Sequence, residues 1–127
     1  MGYHLTRASS RSFDDTVAAV VRALGEQGFG VLTEIDVRAT LKKKLDVEFR
    51  PYKILGACNP ALAHRALELE DKVGTMLPCN VVVQEHQGRV EVSAVDPVAS
   101  MQSISNPALA EIARQVRDRL QKVVDAI

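Results

Sequence analysis

The sequence has no tryptophan, and phenylalanine, tyrosine and tryptophan together supply 4% of its 127 residues. Bases and sugar rings are gripped largely by stacking on aromatic faces, so few such platforms are present. Neither sign of charge is in excess, because sixteen Lys and Arg offset sixteen Asp and Glu. Without a positive long-range field, bulk binding to nucleic acid or to an anionic membrane is disfavoured, and neither is expected as a partner. Long apolar runs are missing as well. No window approaches the roughly 18 apolar residues of a spanning helix, and residues 1–10 lack the apolar stretch of a signal peptide, so the expected compartment is the cytoplasm. Cysteine occurs twice, at Cys58 and Cys79, too sparsely for a disulfide scaffold, and in the cytosol both are expected as thiols.

What is present is the composition of an ordinary folded domain. With 46% hydrophobic and 25% charged residues, the chain is neither disordered nor fibrous. Its length suits one hydrophobic core, so residues 1–127 are read as a single domain.

Alternation at Tyr3, Leu5 and Arg7 suggests a short first strand. Ser12 then has the position of a helix cap, followed by Phe13, Val17, Val20, Val21 and Leu24 at helical spacing, with Gly28 as a left-handed stop. Phe29, Val31, Thr33, Ile35 and Val37 recur every second residue and predict a half-buried strand. Val37, Leu41 and Leu45 read as a short helix whose other face carries Lys42, Lys43 and Lys44. The next strand is read from Val47 to Cys58, with Tyr52, Ile54, Gly56 and Cys58 on one face. Asn59-Pro60 opens a helix striped by Leu62, Ala66, Leu69 and Val73 and ended by Gly74. A buried strand through Val81, Val82 and Val83 and an alternating one through Val90, Val92 and Ala94 flank the turn Gln87-Gly88, which makes a hairpin. After a polar loop, Asn106-Pro107 opens the last helix, where Leu109, Ile112, Val116, Leu120, Val123 and Ile127 recur at three and four. The expected fold is α+β in two layers, a mostly antiparallel sheet with helices on one face, in the order β-α-β-α-β-α-β-β-α. Asn-Pro-Ala-Leu-Ala occurs at 59–63 and again at 106–110, but what precedes the two copies differs, so one capping solution is used twice.

Few residues carry recognisable chemistry. His4, His64 and His86 lack any metal-ligand spacing, and the twenty residues between Cys58 and Cys79 hold no second Cys-x-x-Cys. His64 and Glu68, four apart, read as a surface pair, although with Cys58 they could form a small ligand set. No phosphate-cradling glycine loop and no nucleophile elbow is found, so no catalytic residue and no cofactor is assigned. Cys58 precedes the cap Asn59, where a helix dipole would favour a thiolate, while Cys79 opens an apolar strand and is expected to be buried and slow to react. Small, inert, buried cysteine is the ordinary alternative for both. Arg38, Lys42, Lys43, Lys44, Arg50 and Lys53 crowd into sixteen residues against Asp46 and Glu48. A solvated helix face explains them, or else a patch for an anion or an acidic partner.

The blocks Gly30-Val31-Leu32-Thr33-Glu34-Ile35-Asp36-Val37, Leu41 with Lys42, Lys43 and Lys44, Gly56-Ala57-Cys58-Asn59-Pro60, Leu77-Pro78-Cys79-Asn80-Val81-Val82-Val83 and Asp96-Pro97 resemble the family catalogued as domain of unknown function 302. The resemblance runs from about Tyr3 to the C-terminus. It implies helices layered on a mostly antiparallel sheet, a homodimer, and occurrence mainly in bacteria and archaea; it implies no activity. The residues themselves favour a small dimeric binding or interaction module without catalysis, its site formed where Cys58, Asn59, Cys79 and Asn80 meet. Two alternatives stand beside it: a thiol-based redox or metal-handling protein using Cys58 and Cys79, and a structural subunit recruited through the basic face. The dimer is expected through the last helix, whose apolar stripe, widened by Ala113, Val124 and Ile127, looks broader than one small sheet needs.

Overall fold

Ser12 caps the first helix as its position predicts, its hydroxyl accepting from the backbone N–H of Asp15 at 3.1 Å. The computed structural model describes residues 2–127. Strand β1 (His4–Ser9) leads into α1 (Phe13–Glu26), and Gly28, at φ +82°, turns the chain into β2 (Gly30–Asp36). There follow α2 (Val37–Leu45), β3 (Tyr52–Cys58), α3 (Pro60–Leu69), a 3-10 helix (Asp71–Met76), β4 (Cys79–His86), β5 (Arg89–Val95), a single turn α4 (Pro97–Ser100) and α5 (Pro107–Asp125). All five strands join one antiparallel sheet in the order β1-β5-β4-β3-β2. No helix among the described residues is long and apolar enough to cross a membrane.

The period of two in β4 and β5 sends Val81, Val83, Val90, Val92 and Ala94 to one face, where Leu55 joins them under Val20 and Leu24 of α1 and Leu120 and Val123 of α5. That is the main core. A second cluster, Leu62, Ala66, Val73, Leu109 and Ile112, ties α3 to α5 beside it. Asn59 and Asn106 each cap the helix that follows and stand ahead of a proline at its first position. The two copies of the pentapeptide thus do the same capping work at the starts of α3 and α5.

Several local expectations are corrected by tertiary structure. The helix expected to run from Asn59 to Gly74 stops at Leu69; Glu70 is extended at φ −148°, and the chain restarts as the 3-10 helix, leaving Leu69 41% exposed while Val73 stays buried. The strand begins at Tyr52 and not at Val47, because Pro51 and the left-handed Asp46 fall in the connection. The polar loop after Asp96 contains α4: Asp96 Oδ1 accepts from Val98 and Ala99, and its Oδ2 accepts from Arg117 Nε at 3.0 Å. Val82 is half-buried on the face opposite Val81 and Val83, so the three valines alternate and do not form a fully buried run. In β2 a register shift between Val31 and Thr33 breaks the alternation, and Ile35 is 47% exposed. The last helix has no spare apolar stripe: Ala113 and Val124 are buried in its own chain and Ile127 packs on the main core.

Candidate functional site

The two apolar clusters do not close on each other completely. Where β3 hands over to α3, a cavity of about 340 Å³ remains between the end of the sheet and the α3–α5 layer. The sheet side contributes Phe29, Leu32, Thr33, Ala57 and Cys58, with Leu77, Pro78 and Cys79 from the start of β4. The helical side contributes Asn59, Leu62, Ala63, Ala66 and Leu67 of α3, Ile112, Ala113 and Val116 of α5, and Met101. Its hollowness has a local cause. Ala57, Ala63, Ala66 and Ala113 stand where larger aliphatic residues would fill the gap, and the bulge in β2 leaves Leu32, 67% exposed, at the lip. The volume is about twice the roughly 150 Å³ of a dry apolar cavity that takes up benzene.

Three of the four residues expected to meet do so. Cys58, Asn59 and Cys79 all line the cavity. Ala57 pairs with Cys79 in register, so Cys58 is one residue away from the partner of Cys79. The period of two alone would put the thiols on opposite faces; both reach the cavity because it sits at the very end of the sheet, where Cys58 is the last residue of β3. Asn80 is not part of this group. It pairs with Gly56 and is exposed on the other face of the sheet, near Tyr52, Val82 and Ser93. Both cysteines are free thiols. Burial pushes the Cys79 thiol up to about 11, and the neighbouring Cys58 adds to the rise.

Asn59 is held in place by its own cap: Oδ1 accepts from Leu62 N at 3.3 Å. His64 lies on the outer face of α3, 3.8 Å from exposed Glu68 and outside the cavity wall, so it does not join Cys58 in a ligand set. No group of three or more His, Cys, Asp or Glu placed to share a metal ion occurs among the described residues. The basic face is smaller than its sequence suggests. Lys42 reaches both Asp46 and Glu48 at 2.9 Å, and Lys53 is paired with Glu34 at 2.7 Å, while Arg38, Lys43 and Lys44 remain exposed on α2. These pairs raise the Lys42 and Lys53 ammonium groups above their ordinary range, Lys42 through Asp46 first and Lys53 through Glu34 first.

Most of the cavity lining carries no mark in the sequence. Phe29, Leu62, Ala63, Ala66 and Val116 read as ordinary core positions, and only the clustering of alanines along α3 hints that the space beside them is not filled.

Comparison with known proteins agrees with this architecture. The crystal structure of an uncharacterized conserved DUF302 protein from Bacillus stearothermophilus is similar at 32% identity, with a TM-score of 0.93 over 99% of this chain and 98% of that one. No curated protein matches the chain. The family model of the domain of unknown function DUF302 matches residues 5–127, and with nearly the whole sequence and the whole fold covered, the chain belongs to the DUF302 family.

Proposed function

We propose that the protein is a binding module for a small apolar molecule, taken up in the cavity between the end of the sheet and the α3–α5 layer. The observation that carries this reading is the cavity itself. About 340 Å³ of space is lined almost wholly by hydrocarbon and sulfur. The space opens to solvent past Leu32, so its apolar walls face water, and an apolar guest would remove that surface from water. At about 0.8 kcal/mol per CH₂ removed from water, a chain of about eight carbons gains about 6 kcal/mol before the cost of immobilisation. A neutral fluorescent probe such as N-phenyl-1-naphthylamine tests the reading. One equivalent per chain should bind with enhanced emission, and Ala63→Phe, which plugs the cavity from α3, should weaken binding at least tenfold while leaving the thermal midpoint within a few degrees. Absence of probe binding to the wild-type chain, or equal binding by both proteins, would overturn it.

We further propose that the protein is cytoplasmic and a homodimer, and one observation favours the dimer, through a surface other than the last helix. The sheet is covered on one face only. Across the bare face, Thr6, Ser93, Val82, Ile54 and Ile35 form one row through all five strands, apolar from β4 to β2 and flanked by Tyr52. Beside that row Gln84 links two opposite charges: Arg50 Nε donates to its Oε1, and its Nε2 donates to Glu91. The chain as a whole carries no net charge, so two copies approach without long-range repulsion. Light scattering at micromolar concentration should give twice the 13.9 kDa chain mass, and Val82→Lys should give the monomer. A wild-type mass of one chain overturns the dimer.

Bringing Cys58 and Cys79 to one wall keeps a thiol-based reading in view, although at neutral pH the Cys79 thiol is protonated and Cys58 would have to supply any nucleophile. Recruitment through Arg38, Lys43 and Lys44 of α2 has less support, since Lys42 is neutralised by two carboxylates.

A further inference from the structure

The apolar cavity lies where β4 begins, at Cys79; where β4 ends, at His86, the hairpin with β5 holds a second hollow of the opposite character. Its volume is about 330 Å³, and it is lined by Arg50, Gln84, His86, Gln87, Arg89 and Glu91. Strand pairing assembles it. Gln84 stands between Tyr52 of β3 and Glu91 of β5, and His86 pairs with Arg89 across the turn. The period of two carries Gln84 and His86 to the same bare face of the sheet as Val82.

Arg50 is held differently from the lysines on either side of it in sequence. Lys42 and Lys53 reach carboxylates, whereas half-buried Arg50 gives its Nε to the neutral Oε1 of Gln84 at 2.9 Å. Its guanidinium carbon lies 4.5 Å from the ring centre of Phe49 and 5.6 Å from that of Tyr52, so two aromatic rings and one hydrogen bond orient the group. With Nε engaged, the edge formed by Nη1 and Nη2, which can grip two oxygens at once, is left unspent. Neither Arg50 nor exposed Arg89 belongs to any ion pair among the described residues. Glu91 supplies the one carboxylate of the lining and accepts from Gln84 Nε2 at 3.4 Å, so two guanidinium groups against one carboxylate leave the hollow one positive charge in excess.

We infer that this hollow is a binding site for a phosphoryl group, gripped by Arg50 and Arg89 at the end of the β4–β5 hairpin. A tetrahedral oxyanion presents several pairs of oxygens and can accept a guanidinium edge from two directions; a carboxylate has a single such pair and satisfies one. Inorganic phosphate and a small phosphate monoester share this chemistry. The site is separate from the apolar cavity and does not depend on what the cavity binds.

The test is an NMR titration of the ¹⁵N-labelled full chain with inorganic phosphate, phenyl phosphate and acetate at fixed ionic strength, using the wild type, Arg50→Lys, Arg89→Gln and Lys43→Gln. Phosphate should move the Arg50 Nε–H and Gly88 amide signals to saturation with one site per chain, and acetate should bind at least about fivefold more weakly. Arg89→Gln, an exposed substitution that leaves the fold intact, and Arg50→Lys, which keeps the charge and loses the two-donor edge, should each weaken phosphate at least about fivefold. Lys43→Gln removes the same charge from α2 and should change the affinity less than about twofold. Tighter binding of phenyl phosphate than of inorganic phosphate assigns the phosphoryl group to an ester, and equal or weaker binding assigns it to the free ion; both support the site. Absence of saturable shifts with either phosphate overturns it, as does acetate binding as tightly as phosphate. A loss in Lys43→Gln as large as in Arg89→Gln also overturns it, by reducing the attraction to the general field of the surface.

Discussion

Between pH 9 and pH 11 the wild-type protein should lose about 2 to 3 kcal/mol of stability relative to Cys79→Ala, read from urea unfolding at each pH. In the unfolded chain the thiol ionises near its ordinary 9.0, whereas in the native protein burial, and secondarily Cys58, hold it protonated up to about 11. The native-state pKa is raised, so the contribution of Cys79 is fully present below pH 9 and is lost as pH climbs through the native value. Over that window the unfolded state releases a proton that the folded state keeps. Comparison with Cys79→Ala removes the tyrosines and lysines that titrate over the same range. Parallel stability curves for the two proteins would contradict the assignment. The same chemistry governs labelling: at pH 8 about one Cys79 thiol in a thousand is ionised, and its side chain is covered. Maleimide should therefore modify one cysteine per native chain, the half-exposed Cys58, and two after unfolding. Two rapid modifications of the native chain would favour the thiol-based reading.

Gly56→Ala should cost about 2 to 3 kcal/mol, although it adds a single methyl group. Gly56 is paired on both sides, with Thr33 in β2 and Asn80 in β4. A β-carbon there would lie 2.2 Å from Thr33 Oγ1 and 2.8 Å from Cγ of Pro78. The hydroxyl can swing away by a change of rotamer, but the proline ring has no such freedom, so the strands must part. Combining Gly56→Ala with Thr33→Ala should accordingly recover less than half of the loss, and because Thr33 and Pro78 both line the cavity, the probe affinity should fall as well. A loss below about 0.5 kcal/mol would show that the sheet yields at this point more readily than its pairing suggests.

How much of this was legible in sequence depends on the distance over which each feature is decided. The caps Ser12, Asn59 and Asn106, the turn at Gln87-Gly88 and the alternation of Val90, Val92 and Ala94 are settled within a few residues, and the structure has them where the pattern places them. The end of α3 was not legible. Leu69 and Val73 fit one helical stripe, yet Glu70 turns extended so that Val73 can reach the α3–α5 cluster. Nor was the bulge at Leu32, which interrupts a run that alternates without fault in sequence. The candidate site divides the same way. Cys58 and Asn59 are neighbours in the chain, and Cys79 joins them through strand pairing; Asn80, one residue on, is carried to the opposite face by the pleat. An unfilled volume is a property of what several segments fail to reach, and no local pattern of Ala63, Ala66 and Ala113 encodes it.

The strand order has a kinetic consequence. β4 and β5 meet across a two-residue turn, but His4 of β1 finds its partner in Val95, about ninety positions later. By loop-closure entropy alone, bringing those ends together costs about 3 kcal/mol more than closing the hairpin. During synthesis β1, made before the other four strands of the sheet, is thus the last able to dock, and it must stay unpaired until β5, about ninety residues later, has left the ribosome. Its alternation of exposed His4, Thr6 and Arg7 around a single buried Leu5 suits that wait, because a nascent strand with so little apolar surface offers poor purchase for mispairing with a neighbouring chain.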